Sequence, residues 1–222
     1  MEKSIAIIGG TAGIGYALAL RLARAGREVI IGSRFPWKAE RAARALEEKA
    51  GKARVMGFKN HEAAAKADIV VLAVPFKAQM SIFEDIKGSL RPKAVLVDVT
   101  IPLKRSKNGC RLIRVKEGSA TERLLGLLPE DVDLVAAFKN ISEHVLKDLS
   151  QPLDCDILLC GDSDEAKKKV IEVIEDIGAR AVDCGSLANS HLLEALGVLM
   201  INLEILHKYH VCVRFKKLRH IH

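Results

Sequence analysis

One short stretch limits this chain more than any other: Gly9-Gly10-Thr11-Ala12-Gly13-Ile14-Gly15. It follows directly on an apolar, β-rich run, Ser4–Gly9, and leads directly into a helix-like segment, Tyr16–Ala25. A second apolar run, Glu28–Ser33, comes next. Glycines between a strand and a helix permit a tight turn and let a pyrophosphate approach the backbone closely. The helix start then offers unpaired N–H groups and the positive end of its dipole to that anion. A glycine pattern alone implies no more than a turn, but here the flanking strand, helix and second strand are all present. Gly10-x-Ala12-x-x-Gly15 differs from the common dinucleotide pattern in carrying Ala at its second position, with Gly13 beside it.

The second run ends in Gly32-Ser33-Arg34, with Lys38 a helical turn later. An acidic residue about 20 positions past the glycines would select the free ribose 2′-hydroxyl of NAD. Ser33, Arg34 and Lys38 instead suit a 2′-phosphate, because a guanidinium clamps phosphate as a planar fork and an ammonium adds a point charge. The expected dinucleotide is therefore NADP.

The alternation continues. Lys38–Lys49 reads as an amphipathic helix, Arg54–Phe58 as a weak strand, and Asp68–Val74 and Ala94–Val99 as buried strands of near-continuous hydrophobicity. Asp133–Phe138, Asp156–Cys160 and Ala179–Cys184 add three further strands, with a helix over Ser163–Ile177 that Asp162 can cap and Gly178 stops. Between them Thr100–Gly118 shows no period and is expected to be a long loop. Ser190–Tyr209 reads as one long helix and His210–Phe215 as a closing strand, with a basic, frayed end over Lys216–His222. The fold expected is α/β: a doubly wound Rossmann sheet extended to about eight strands over residues 1–185, with a C-terminal helix and strand over 186–222 serving the acceptor site and a dimer.

Composition removes other classes. With 222 residues, 49% of them hydrophobic, the chain can bury a full core without disulfides or a structural metal. No uninterrupted apolar run reaches the roughly 20 residues of a membrane span, and Met1–Ser4 lacks a leader-like layout. Five scattered cysteines without a CxxC pair suggest reduced thiols and a cytoplasmic setting. A net charge of +7 favours anionic ligands, while 4% aromatic content is poor for stacking nucleic-acid bases. His144, His191, His207 and His210 have no metal-ligand spacing. Short-chain dehydrogenase chemistry needs a Tyr four residues before a Lys, and neither Tyr16 nor Tyr209 has one. Reductases of the β-hydroxyacid type need a large helical second domain, for which the residues after Gly185 are too few.

Beyond the glycine turn, the chain resembles the archaeal NADPH-dependent reductases of coenzyme F420, a deazaflavin. The segments that carry this are Gly9–Gly15, Ile31–Arg34 with Lys38, Lys59-Asn60, Asp68–Phe76, Ala136–Ile141, Cys160–Asp164 and Leu187–Glu194. The resemblance implies hydride transfer between NADP(H) and coenzyme F420. It places Gly10, Thr11, Ala12, Gly13 and Ile14 along the pyrophosphate, and Ser33, Arg34 and Lys38 at the 2′-phosphate. Val74 and Pro75, with Thr100 nearby, would flank the nicotinamide ribose. Lys139, Asn140, Ile141 and Val211 would border the deazaflavin, Lys139 standing where family members often have His. No acid–base residue is required, because the two cofactors carry the chemistry. Lys104, Arg105, Lys107, Lys139, Lys208, Arg214, Lys216 and Lys217 could steer the anionic acceptor. Asp98 is expected to be a hydrogen-bonded residue of a buried strand. The apolar stripe Leu192, Leu193, Leu196, Leu199, Met200 and Leu203 is expected to pack on the sheet or a second subunit, giving a homodimer. Two other readings of the scaffold are a reductase of flavin or ferric chelates and a non-catalytic NADPH sensor.

Overall fold

The computed structural model describes residues 4–51 and 53–216. Ten strands are present: β1 (Ile5–Ile8), β2 (Val29–Ser33), β3 (Val55–Lys59), β4 (Ile69–Leu72), β5 (Val95–Asp98), β6 (Leu103–Ser106), β7 (Gly109–Leu112), β8 (Asp133–Ala137), β9 (Asp156–Gly161) and β10 (Arg180–Asp183). The helices are α1 (Gly13–Arg24), α2 (Pro36–Ala50), α3 (Asn60–Ala64), α4 (Phe76–Ile86), α5 (Glu122–Leu125), α6 (Glu143–Lys147), α7 (Asp164–Asp176) and α8 (Ser190–His207). Eight strands form one sheet in the order β10-β9-β8-β5-β4-β1-β2-β3.

Both faces of that sheet are covered, which is why its strands read as continuous apolar runs. Ile5, Ile7, Ile69, Val71, Val95 and Val97 pack into a core with α1, α2 and α7. The alternate residues Ala6, Ile8, Val70, Leu72 and Leu96 pack into a second core with Phe83 and Ile86 of α4 and Ala63 of α3.

From β3 across to β8 all pairings are parallel, so β1, β2, β4, β5 and β8 end at one edge. The β8–β9 pairing is antiparallel. After β8 the chain does not cross to the opposite edge; it makes an excursion through α6 and returns at the same end, which dictates the reversal. The Asn140 side chain splices the two strands together, donating to the Asp156 carbonyl at 2.7 Å and accepting from the Leu158 amide at 3.0 Å.

Four expectations need correction. The segment expected to be a long loop contains a two-stranded antiparallel hairpin, β6–β7. Its strands project mostly exposed polar side chains, so no apolar alternation marks them. Ser163, not Asp162, caps α7, its hydroxyl accepting from the Ala166 amide at 3.2 Å. Asp162 instead accepts from the Leu187 amide at 2.9 Å and ties the β9 end to the start of the C-terminal element. The expected strand over His210–Phe215 is not a strand of the sheet. The Val213 carbonyl accepts from the Asp156 amide at 2.8 Å, whereas the Phe215 amide turns to the Asp156 carboxylate at 2.6 Å. Finally, Leu187–His207 is 21 residues of mean hydropathy 1.2, long and apolar enough by composition for a membrane span, with a third of it buried within the fold. Interruptions such as Glu194 and Asn202 break the apolar run in the sequence, yet the average stays high. The frayed end foreseen for Lys216–His222 lies outside the described residues after Lys216.

Candidate active site

The parallel strands bring most of the sequence-selected residues to one edge. Gly10–Ile14 follow β1, Ser33 and Arg34 close β2, Val74 and Pro75 follow β4, Thr100 follows β5, and Lys139–Ile141 follow β8. Strand order reverses at β1, between β2 and β4, which is where open α/β sheets bind ligands.

The turn after β1 is built for close approach. Gly9 has φ +88°, and a Cβ there would lie 2.3 Å from the Ala73 carbonyl oxygen, so only glycine fits. This lets α1 begin at Gly13 directly above the sheet edge. Its N-cap, Ala12, supplies no side-chain cap, and no acidic residue occupies the first turn. The same is true of α2 after Arg34 and of α4 after Pro75. By contrast, α6 and α7, which serve the fold elsewhere, have serine caps and acidic first turns. The three helices that start at this edge thus leave their first N–H groups without a side-chain cap, as α8 also does, and an anion at this edge could meet them. A groove of about 630 Å³ opens beside the turn, lined in part by Thr11, Ala12, Gly13, Tyr16, Lys49 and Lys147.

At the β2 end, Arg34 is exposed and Lys38 partly so, and no carboxylate among the described residues pairs with either. Lys38 sits 5.0 Å from the Phe35 ring and 5.3 Å from the Trp37 ring. Ser33 Oγ accepts from the Phe35 amide at 3.3 Å and holds this turn. Two cations without a carboxylate partner among the described residues, at an uncapped helix start, have the chemistry to receive a phosphate. The backbone cradle, the uncapped helices and the cation pair together fit a 2′-phosphorylated dinucleotide.

The acceptor side differs from the expectation at three residues, Lys139, Asn140 and Ile141, whose side chains are engaged inside the protein. Lys139 does not present its ammonium to a ligand: the side chain is fully buried and donates to Asp98 at 2.9 Å, to Glu194 at 3.3 Å and to the Thr100 carbonyl. The residue sits just past Phe138, whose φ of +58° turns the chain inward at the end of β8. Asn140 is likewise spent on β9, and Ile141 is buried in the core. Val211 lies on the segment after α8, its amide donating to the Glu204 carboxylate of that helix at 3.2 Å. The next ring, His210, stacks on His144 of α6 at 4.8 Å, which draws that segment toward the same edge. Thr100 donates its hydroxyl to the Val74 carbonyl at 3.3 Å, joining the β4 and β5 ends.

Glu194 and Asn202, both on α8, were not singled out from the sequence. Gly197 permits the close seating of α8, since a Cβ there would lie 2.4 Å from the Lys139 carbonyl oxygen. Asn202 grips the hairpin, accepting from the Cys110 amide at 2.6 Å and donating to the Cys110 carbonyl at 2.9 Å. Asn202→Ala should release β7 from α8 at a cost of about 2 kcal/mol, two partly buried backbone groups losing their partner. Hydrogen exchange would show the Cys110 amide losing protection while β1 and β4 amides keep theirs. Thiol chemistry has little footing here: burial pushes the Cys155 thiol up to about 11 and that of Cys160 up to about 12.

Comparison with known proteins agrees with this geometry. The family model described as "NADP oxidoreductase coenzyme F420-dependent" matches residues 4–102. The F420-dependent NADP reductase of Methanothermobacter thermautotrophicus is 45% identical over 211 residues, covering 92% of this chain and 90% of that protein. The protein of the same name from Methanocaldococcus jannaschii is 40% identical, with coverage of 92% and 93%. Among solved structures, one from Arthrobacter sp. fb24 superimposes with a TM-score of 0.78 at 24% identity over 97% of this chain and 99% of that one. That likeness shows the fold, and the first two relatives show the lineage. The chain belongs to the F420-dependent NADP reductase family.

Proposed function

We propose that this protein is an oxidoreductase that transfers hydride reversibly between NADP(H) and coenzyme F420. The observation that carries the nucleotide half is the uncapped start of α2 with unpaired Arg34 and Lys38 beside the glycine turn. The acceptor half rests on membership of a family whose relatives are named for F420.

NADP(H) and the deazaflavin supply the redox chemistry; the chain supplies position. Gly10–Ile14 and the α1 start hold the pyrophosphate, and Ser33, Arg34 and Lys38 hold the 2′-phosphate. Val74, Pro75 and Thr100 set the plane of the nicotinamide end, where two planar rings must meet within about 3–3.5 Å. The backbone at Lys139–Ile141 and the segment around Val211 border the acceptor, whose anionic tail is drawn by Lys104, Arg105, Lys107, Lys208 and Arg214. Residues from Ser186 onward serve that site and a homodimer, to which α8 offers exposed Leu192, Leu199 and Leu206. The five cysteines are unpaired, which suits a reducing, cytoplasmic setting.

The test is NADPH oxidation followed at 340 nm with and without coenzyme F420, together with the deazaflavin absorbance. Stoichiometric loss of both signals is expected. Tight NADPH binding without deazaflavin turnover would point instead to a flavin or ferric acceptor, or to a sensor.

A further inference from the structure

Beneath the candidate nicotinamide subsite lies a group of buried charges that the reaction, as proposed, leaves unused. Lys139 is enclosed by Asp98 from the end of β5 and Glu194 from α8, and none of the three side chains is more than 2% exposed. With both carboxyls ionised, two carboxylates and one ammonium carry one surplus negative charge. Its hydrogen bonding is extensive. Asp98 accepts from the Gln79 side chain at 3.0 Å, the Thr121 hydroxyl at 2.8 Å and the Thr100 amide at 3.3 Å. Glu194 accepts from the Ala120 amide at 3.0 Å and the Thr121 amide at 3.4 Å. Burial holds the Glu194 carboxyl above the usual carboxylate range despite the opposing pull of Lys139 and the Ala120 amide, so its charge is present only above that raised value. Thr100 links this group to the site: its carbonyl receives the Lys139 ammonium and its hydroxyl reaches the Val74 carbonyl.

We propose that the Asp98–Lys139–Glu194 group acts as a fixed negative charge behind the nicotinamide subsite, favouring the cationic oxidised ring over the neutral reduced one. The inference rests on the NADP(H) reading above. When the reduced ring loses hydride, its C4–H bond breaks, the electron pair leaves with the hydrogen to the deazaflavin, and the nicotinamide gains one positive charge. The deazaflavin takes one proton from water to complete its reduction. A unit charge buried in the protein is weakly screened, so it lowers the oxidised complex relative to the reduced one. The bound equilibrium then leans toward deazaflavin reduction. None of the three residues touches the ring; they act on it through their field.

Titration of the purified protein with NADP+ and with NADPH, no acceptor present, reads this directly. Glu194→Gln and, separately, Asp98→Asn each remove one negative charge with little change of shape. Each should raise the ratio of the NADP+ dissociation constant to that of NADPH by about fivefold or more. Thr121→Val deletes a hydrogen bond to Asp98 without altering charge and should keep the wild-type ratio. An unchanged ratio in a folded carboxamide variant, or an equal rise in Thr121→Val, overturns the proposal. The two carboxylates sit on different elements, so a thermal melt that shows one variant unfolded leaves the other to decide. If the wild-type protein bound neither nucleotide, the NADP(H) reading itself would fall.

Discussion

Arg34→Ala is expected to weaken NADPH binding by about 10- to 100-fold while changing NADH binding by no more than about threefold. The two nucleotides differ only in the 2′-phosphate, so the comparison isolates that group. Arg34 is exposed and free of carboxylate partners among the described residues, hence its removal orphans nothing and should leave thermal stability nearly unchanged. Solvent access trims the effect, so it stays below what a buried phosphate clamp would give. Lys38→Ala should cost less, about fivefold, because an ammonium contributes a point charge without the planar fork. Isothermal titration with both nucleotides checks this. Equal losses for NADPH and NADH would remove Arg34 from the phosphate subsite and return it to the role of a solvated strand-end residue.

The strand, turn and helix that carry the candidate nucleotide site were legible in the sequence because they are local. A strand, a glycine turn and a helix occupy neighbouring positions, and Ser33, Arg34 and Lys38 follow within one βα unit. What the sequence obscured depends on contacts between distant segments. The β6–β7 hairpin had one signal, the Asn108-Gly109 pair, but exposed strands rich in Lys and Arg show no apolar alternation to support it. The antiparallel pairing of β9 follows from where the chain re-enters the sheet, which no periodicity records. Lys139, Asp98 and Glu194 lie about 40, 100 and 55 positions apart from one another in various pairings, yet each shared one mark: a lone charge inside an apolar run, in AAFKNI, AVLVDV and SHLLEAL. Three such charges of mixed sign are candidates to find one another in a core, since a buried charge without a partner is untenable. The resemblance to deazaflavin reductases drew attention to Lys139 as a border of the acceptor and away from that pairing.

The structure consequently changes what substitution of Lys139 should do. A surface lysine that steers an anionic acceptor would raise the acceptor KM when removed and leave stability alone. The buried lysine seen here should instead unfold the protein more readily. Lys139→Met keeps most of the side-chain length but strands Asp98 and Glu194 beside each other without a cation. Removing one partner of a buried ion pair costs about 3–5 kcal/mol. For a chain of this size that corresponds to a fall in Tm of about 10 °C. The deficit should depend on pH with a definite sign. Burial already raises the Glu194 carboxyl, and loss of Lys139 removes a cation that lowers it, so in the variant Glu194 holds its proton more tightly folded than unfolded and stability drops as pH rises. The melting temperature should therefore recover on moving from about pH 8 toward about pH 5. Adding Glu194→Gln to Lys139→Met should restore part of the loss, because one of the two stranded charges disappears, and the two substitutions should prove non-additive. A Lys139→Met protein that melts like the wild type and shows only a raised acceptor KM would place the ammonium at the ligand instead of in the core. A melting deficit that shrinks in acid and in the double variant would fix Lys139 as the cation that allows two carboxylates to be buried under the active edge.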